Sequence, residues 1–256
     1  MDKKIKNIKE KVVRAIQPKI LYEDENILAV NKPSGLITHS DGKTKVKTLS
    51  EWLVKKFPEV RTVGELLTMS DGEETDRAGI VHRLDKETSG VILLAKTQQG
   101  FECLKEQFKK HTIKKTYHSF VVGTPKNSRG IINNPIGKSI SDFRARSASR
   151  GARGSTVEAE THYTVKESHK IDQENYSFVQ AMPKTGRTHQ IRAHMKVIGH
   201  PIVGDRIYGK MDNFLGFDRT ALHSFSIEFK NCDDEAVVIQ APYPEDFLKA
   251  MVKFAK

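Results

Sequence analysis

The sequence predicts an α+β fold, a mixed and largely antiparallel β-sheet flanked by helices. Three observations predict it. Short apolar runs bounded by turn residues outnumber the helical patterns. Strict strand–helix–strand alternation, the mark of a doubly wound parallel sheet, is missing. A chain of 256 residues, 37% hydrophobic and 29% charged, can bury a sizeable core without staples and has no long apolar run for a membrane span.

The first residues, Met1 to Ile16, place Ile5, Ile8, Val12 and Ile16 at roughly helical spacing among lysines. They read as a short amphipathic extension, residues 1–18, ahead of one main domain, 19–256. No secretory signal is expected. Ile20 to Lys32 reads as strand, turn, strand, with Glu23 to Asn26 supplying the turn and Pro33 and Gly35 the stop. Thr48 to Phe57 reads as a helix with a capping box, Thr48 and Glu51. Asp71 to Arg77 is acidic and is expected to form a mobile loop. Val91 to Lys96 is a buried-strand signal, and Gln99 to Lys110 a helix with Phe101, Leu104 and Phe108 on one face. Strands are expected at Lys115–Val122, Thr156–Val165, Tyr176–Met182, Leu222–Phe229 and Ala236–Ala241. Thr188 to Ile198 has helical spacing, and Pro244 opens a last helix.

Lysine and arginine number 43 against 32 acids, a net charge of +11, which points to a polyanionic partner such as nucleic acid. Cys103 and Cys232 have no metal-type spacing and read as thiols of a reducing cytoplasm. Dinucleotide, P-loop and serine-hydrolase motifs are absent from the sequence.

Four places could carry chemistry. Asp85 stands before an apolar strand, close to His82, Arg83 and Lys86; an aspartate there can act as nucleophile or base, or simply hold a turn. In Gly186-Arg187-Thr188-His189-Gln190-Ile191-Arg192-Ala193-His194, the residues His189, Arg192 and Lys196 share one helical face. That face is either solvated or lets Arg192 reach a carboxylate in a cleft. His189 and His194 are five apart and do not form a metal pair, so no metal is expected. Tyr117 begins a strand and could stack on a base or merely pack. Lys138, Arg144, Arg146, Arg150 and Arg153 face a single acid, Asp142, in a segment expected to be a phosphate-gripping loop.

Together Val81-His82-Arg83-Leu84-Asp85-Lys86-Glu87-Thr88-Ser89-Gly90-Val91, Lys115-Thr116-Tyr117, Gly186 to His194, Gly199 to Asp205 and Ala221-Leu222-His223-Ser224 resemble the RluA-like RNA pseudouridine synthases. Glu25 to Leu36 fits the same pattern, and the resemblance spans about residues 20 to 247. It implies the pseudouridine synthase catalytic fold and a uridine-to-pseudouridine isomerase that needs no cofactor. Its implied catalytic residues are Asp85, Tyr117, which contacts the target ring, and Arg192, which pairs with the aspartate. Arg83 is implied to fill the gap left by the flipped nucleotide. RNA contacts are expected from Lys138, Arg144, Arg146, Arg150, Arg153, Arg187 and His189. The separate N-terminal RNA-binding domain of many members is not expected here. Large-subunit ribosomal RNA is the first expected substrate and transfer RNA the second, acted on by a cytoplasmic monomer without membrane or evident protein partner. The rival readings are a catalytically silent RNA-binding protein and a hydrolase using Asp205 as a second acid, although in this family that Gly-Asp pair is more simply structural.

Overall fold

The computed structural model describes residues 17–39, 47–68, 74–76, 78–149, 152–209, 213 and 215–255. The amphipathic stretch 1–16 and Arg150 lie outside the described residues. The chain divides into two compact units, Met1–Thr112 with Glu228–Ala241, and Ile113–Ile227 with Pro242–Lys256. Among the described residues no helix is long and apolar enough to cross a membrane.

In the first unit β1 (Lys19–Glu23) and β2 (Ile27–Lys32) form the expected hairpin. The Asp24 carboxylate closes it by accepting from the backbone N–H of Asn26 and Ile27, at 2.8 and 2.6 Å. Helix α1 (Leu49–Lys56) carries the capping box that Thr48 and Glu51 announced. The stretch expected to be a mobile loop instead contributes Glu74–Asp76, strand β4, which pairs with β3 (Leu66–Thr68). Strand β5 (Ser89–Ala95) is buried along its whole length and pairs antiparallel with β2. Helix α2 (Gln98–Lys109), capped by Thr97, buries Phe101 and Leu104. Gly79 has φ +74°, and any Cβ there would strike the Ala95 carbonyl, so only glycine closes this turn onto β5.

The second unit contains β6 (Lys114–Val122), β7 (Arg129–Ile132), β8 (Ile136–Ser139), β9 (Arg146–Ser147), β10 (Ala152–Val157), β11 (Thr161–Ile171), β12 (Glu174–Pro183) and α3 (Gln190–Val197). Strands β6, β12, β11 and β7 pair antiparallel in that order. Strand β13 (Leu222–Lys230) starts in this unit beside β6 and ends in the first unit, where β14 (Ala236–Gln240) pairs with it. Helix α4 (Glu245–Phe254) follows Pro244, which takes the N-cap rather than the first turn. Its Phe247 and Phe254 rings pack on Phe120 of β6, and Arg219 grips Asp246 in a bidentate pair.

His118 of β6 is buried against Phe225, and its Nδ1 lies 2.6 Å from the Tyr243 hydroxyl. Burial, with the nearby charges of His223 and Lys166, pushes its pKa down to about 4. The folded ring is therefore neutral where an unfolded histidine takes a proton near pH 6.5. A group depressed in this way contributes stability above pH ~6.5 that is lost as pH falls towards 4. Thermal unfolding midpoints should thus drop less steeply between these pH values in His118→Phe than in the wild type.

Candidate functional site

Asp85 lies in the irregular segment before β5, half-buried between buried Leu84 and exposed Lys86. Its backbone is held on both sides. The Thr38 hydroxyl donates to the Leu84 carbonyl at 2.9 Å and accepts from the Leu84 N–H at 3.3 Å. The Lys86 carbonyl accepts from Gly35 N–H at 2.8 Å and from Lys32 Nζ at 3.4 Å. Lys32 Nζ also donates to the carbonyls of Leu36 and Pro33, at 2.8 and 3.0 Å, and the residue is fully buried. A buried ammonium is tolerated only with such partners, so Lys32 acts as a pin between the Pro33–Leu36 turn and the Asp85 segment. Thr88 N–H closes the segment onto the Asp85 carbonyl at 3.1 Å.

His82, three residues ahead of Asp85, is scaffold. Its Nε2 accepts from the Leu93 N–H at 2.9 Å, and its ring lies 4.6 Å from that of Phe108. Arg83 is exposed.

In the second unit Arg192 does not lie on a solvated face. It is 6% exposed, and its Nε and Nη2 donate to Oδ2 and Oδ1 of Asp205, which is fully buried, at 2.7 and 2.8 Å. Asp205 Oδ1 also accepts from the N–H of Ile207 and of Tyr208, at 3.0 and 3.2 Å. The Tyr208 ring lies 5.1 Å from the guanidinium carbon. A planar, rigid guanidinium gripped along one edge and covered on one face has its remaining nitrogen aimed as well. The preceding Gly204, φ +70°, lies so close to the Arg219 carbonyl that no side chain fits. The Gly-Asp pair is therefore a holder for Arg192.

His189 is the N-cap of α3 and adopts a left-handed conformation, φ 56°. It makes no side-chain cap. Instead Gln190 braces the approach: its Oε1 accepts from Thr185 Oγ1 at 2.7 Å and from Arg187 N–H at 2.9 Å. The Tyr208 hydroxyl accepts from Arg146 N–H at 2.6 Å and lies 3.2 Å from His189 Nδ1. The structure thus gathers Arg192, His189 and Arg146 around Asp205 and Tyr208. His194 is a core histidine: Nε2–H donates to the Asn134 carbonyl at 2.9 Å, Nδ1 meets Thr161 Oγ1 at 2.9 Å, and burial lowers its pKa.

Tyr117 is buried in β6 opposite Ala181. Lys115, two residues earlier and on the same strand face, donates from Nζ to the Thr185 carbonyl at 3.1 Å, and burial draws its pKa down to about 8. Arg187 is exposed and its Nε reaches the Glu158 carbonyl at 3.0 Å.

The arginine-rich segment is not the loop the charge pattern suggested. It folds as a three-stranded sheet, order β10-β8-β9, with Lys138 opposite both Arg146 and Arg153. Small residues made this possible: Ala145, Ala148 and Ala159 pack with Ile136, Ala193 and Tyr208. Arg144 Nε and Nη2 bond both oxygens of Asp142, whose carboxyl is held down to about 2 by this pair. Arg144 is thus already neutralised. Lys138→Ala and Arg146→Ala should each flatten the slope of log RNA affinity against log salt by about 0.7, and Arg144→Ala by less. Titrations at several salt concentrations measure this directly.

No sequence motif marks Lys32, Thr38 or Tyr208 as functional, and the sequence offers Asp205 only as a second acid or as a structural residue. A lysine ending an otherwise buried strand, just before Pro33-Ser34-Gly35, was the available signal for the first. Among the described residues no three His, Cys, Asp or Glu side chains gather as a metal ligand set.

The family model for RNA pseudouridylate synthase matches residues 26–196. Ribosomal large subunit pseudouridine synthase C of Vibrio parahaemolyticus is 33% identical over 250 residues, 95% of this chain and 71% of that protein. Ribosomal large subunit pseudouridine synthase D of Xylella fastidiosa is 35% identical over 245 residues, 91% of this chain and 68% of that protein. Among solved structures, human RNA pseudouridylate synthase domain containing 1 superposes with a TM-score of 0.68 at 27% identity, covering 90% of this chain and 84% of that one.

Proposed function

The chain belongs to the RNA pseudouridylate synthase family, a uridine isomerase acting on RNA, and from that premise we propose that it modifies large-subunit ribosomal RNA, with Asp85 as the catalytic carboxylate and no cofactor. The Vibrio and Xylella relatives, both ribosomal large subunit pseudouridine synthases, support the choice of RNA. The observation that carries the assignment of Asp85 is its presentation: a half-buried aspartate on a segment pinned by Thr38, Lys32 and Gly35.

The reaction breaks the bond from ribose C1′ to uracil N1 and forms one from C1′ to C5. A proton leaves C5 and N1 gains one, so neither mass nor oxidation state changes. Asp85 acts as nucleophile or base on this ring. Tyr117 stacks on the detached base and keeps it in place while it turns. Arg192, held in a fixed orientation by Asp205, is assigned to the reaction as a cationic residue. The target uridine leaves its stack at a cost of about a few kcal/mol, offset by phosphate contacts from Lys138, Arg146, Arg153 and Arg187; His189 is a further RNA contact, and Arg83 fills the gap left by the flipped nucleotide.

Pseudouridine mapping of total RNA, with and without the gene, tests the reading. One or more sites in large-subunit ribosomal RNA should lose pseudouridine without the gene. In vitro, RNA mass should stay constant with no uracil released. Release of uracil would make the protein a hydrolase, and binding without isomerisation would make it a silent RNA-binding protein.

A further inference from the structure

The tip of the small sheet carries a ring that its own core does not use. Phe143 is 88% exposed, and Ile140 in the same turn is 67% exposed. Single exposed apolar side chains need no explanation, but this turn is built to hold its ring in water. The Asp142 carboxylate accepts from Arg144 N–H at 2.9 Å as well as from the Arg144 guanidinium. Ser139 Oγ accepts from the N–H of Ser141 and Asp142, at 3.3 and 3.4 Å. The main chain closes with Ala145 N–H on the Asp142 carbonyl at 3.0 Å and Ser139 N–H on the Ala145 carbonyl at 3.2 Å. Beneath the turn, Ala145 is buried in the cluster around Ile136 and Tyr208. The phenyl ring is thus carried on a tied platform rather than on a slack loop.

The charge around it selects the partner. Asp142 is the only acid between Gly137 and Ser155, and Arg144 consumes it. Lys138 and Arg146 form a cross-strand cationic pair on the same small sheet. A flat π-face beside cations, with its one carboxylate neutralised, is the arrangement that grips a single strand: phosphates on the cations, a base on the ring. We propose that Phe143 is a stacking platform for an unpaired nucleobase of the RNA substrate, with Ile140 extending its apolar surface. This rests on the reading of the chain as an enzyme of RNA. It adds a recognition element for single-stranded sequence flanking the target, one that tolerates any base because every base has a π-face.

The test compares wild type, Phe143→Ala and Phe143→Tyr on a single-stranded oligoribonucleotide and on a perfect duplex of equal length. Phe143→Ala should weaken single-strand binding by about 5- to 150-fold, the measured range for loss of one stacked base. Phe143→Tyr, which keeps the ring, should stay within about threefold of wild type. The salt slope should not move, because no charge is removed. The duplex, with its bases already stacked, should bind the alanine variant nearly as well as wild type. Single-strand affinity unchanged in Phe143→Ala, or an equal loss on the duplex, overturns the proposal while leaving the isomerase reading intact. So does sedimentation showing a wild-type dimer that Phe143→Ala dissociates, since the ring would then be covered by a second copy. A wild type that neither binds nor isomerises RNA would instead remove the premise.

Discussion

Asp85→Asn is expected to abolish pseudouridine formation while RNA affinity changes by less than about tenfold, or 1.4 kcal/mol. The substitution is isosteric, and the segment is braced through backbone atoms: Leu84 to Thr38, Lys86 to Lys32 and Gly35, and Thr88 to the Asp85 carbonyl. Geometry and fold should therefore survive. What disappears is the negative charge, and with it both a nucleophilic oxygen and a proton acceptor. An amide supplies neither function, so the loss holds for either chemical role of Asp85. Binding should persist because the grip is assigned to the basic sheet and the Arg187 turn. Removing an anion from a polyanion's path can only ease approach. Turnover above a few per cent of wild type on saturating RNA, by a direct pseudouridine assay, would take Asp85 out of the chemistry.

The parts of the fold that were legible in the sequence are those whose cause is local. Asp24 closes its own hairpin within three residues, and Thr48 and Glu51 cap their own helix. The continuous burial of β5 follows from its unbroken apolar run. The supports of the candidate site were not legible because their partners are distant in the chain. Thr38 and Leu84 are 46 residues apart, Lys32 and Lys86 are 54 apart, and Arg192 and Asp205 are 13 apart across a helix end. Of the two readings of the polar face, the solvated one holds for Lys196, whereas Arg192 reaches a carboxylate, that of Asp205. A buried carboxylate reverses the usual preference of arginine for water. The basic segment looks like a loop in sequence because it has few large apolar residues, yet the residues it packs include alanines, which binary patterning barely registers.

Arg192 can be separated from its structural role by changing it alone and then together with its partner. Arg192→Ala leaves the Asp205 carboxylate in the interior without its guanidinium, keeping only the backbone donors of Ile207 and Tyr208. Breaking a buried pair from one side costs about 3–5 kcal/mol, which corresponds to a fall in unfolding midpoint on the order of 10 °C for a chain of this size. Turnover should fall by about 10²–10³, the usual cost of losing one preorganised electrostatic group, but in the single variant instability and chemistry are confounded. The double change Arg192→Met with Asp205→Leu resolves them. Apolar replacement of a buried ion pair is commonly neutral or stabilising by about 1–4 kcal/mol, so the double variant should recover the unfolding midpoint. It should not recover turnover, because the Arg192 charge proposed to act in the reaction is still missing. Arg192→Lys, which returns a charge without the two-pronged edge, should fall between them in turnover. A double variant that is stable and isomerises RNA at the wild-type rate would make the Arg192–Asp205 pair purely structural.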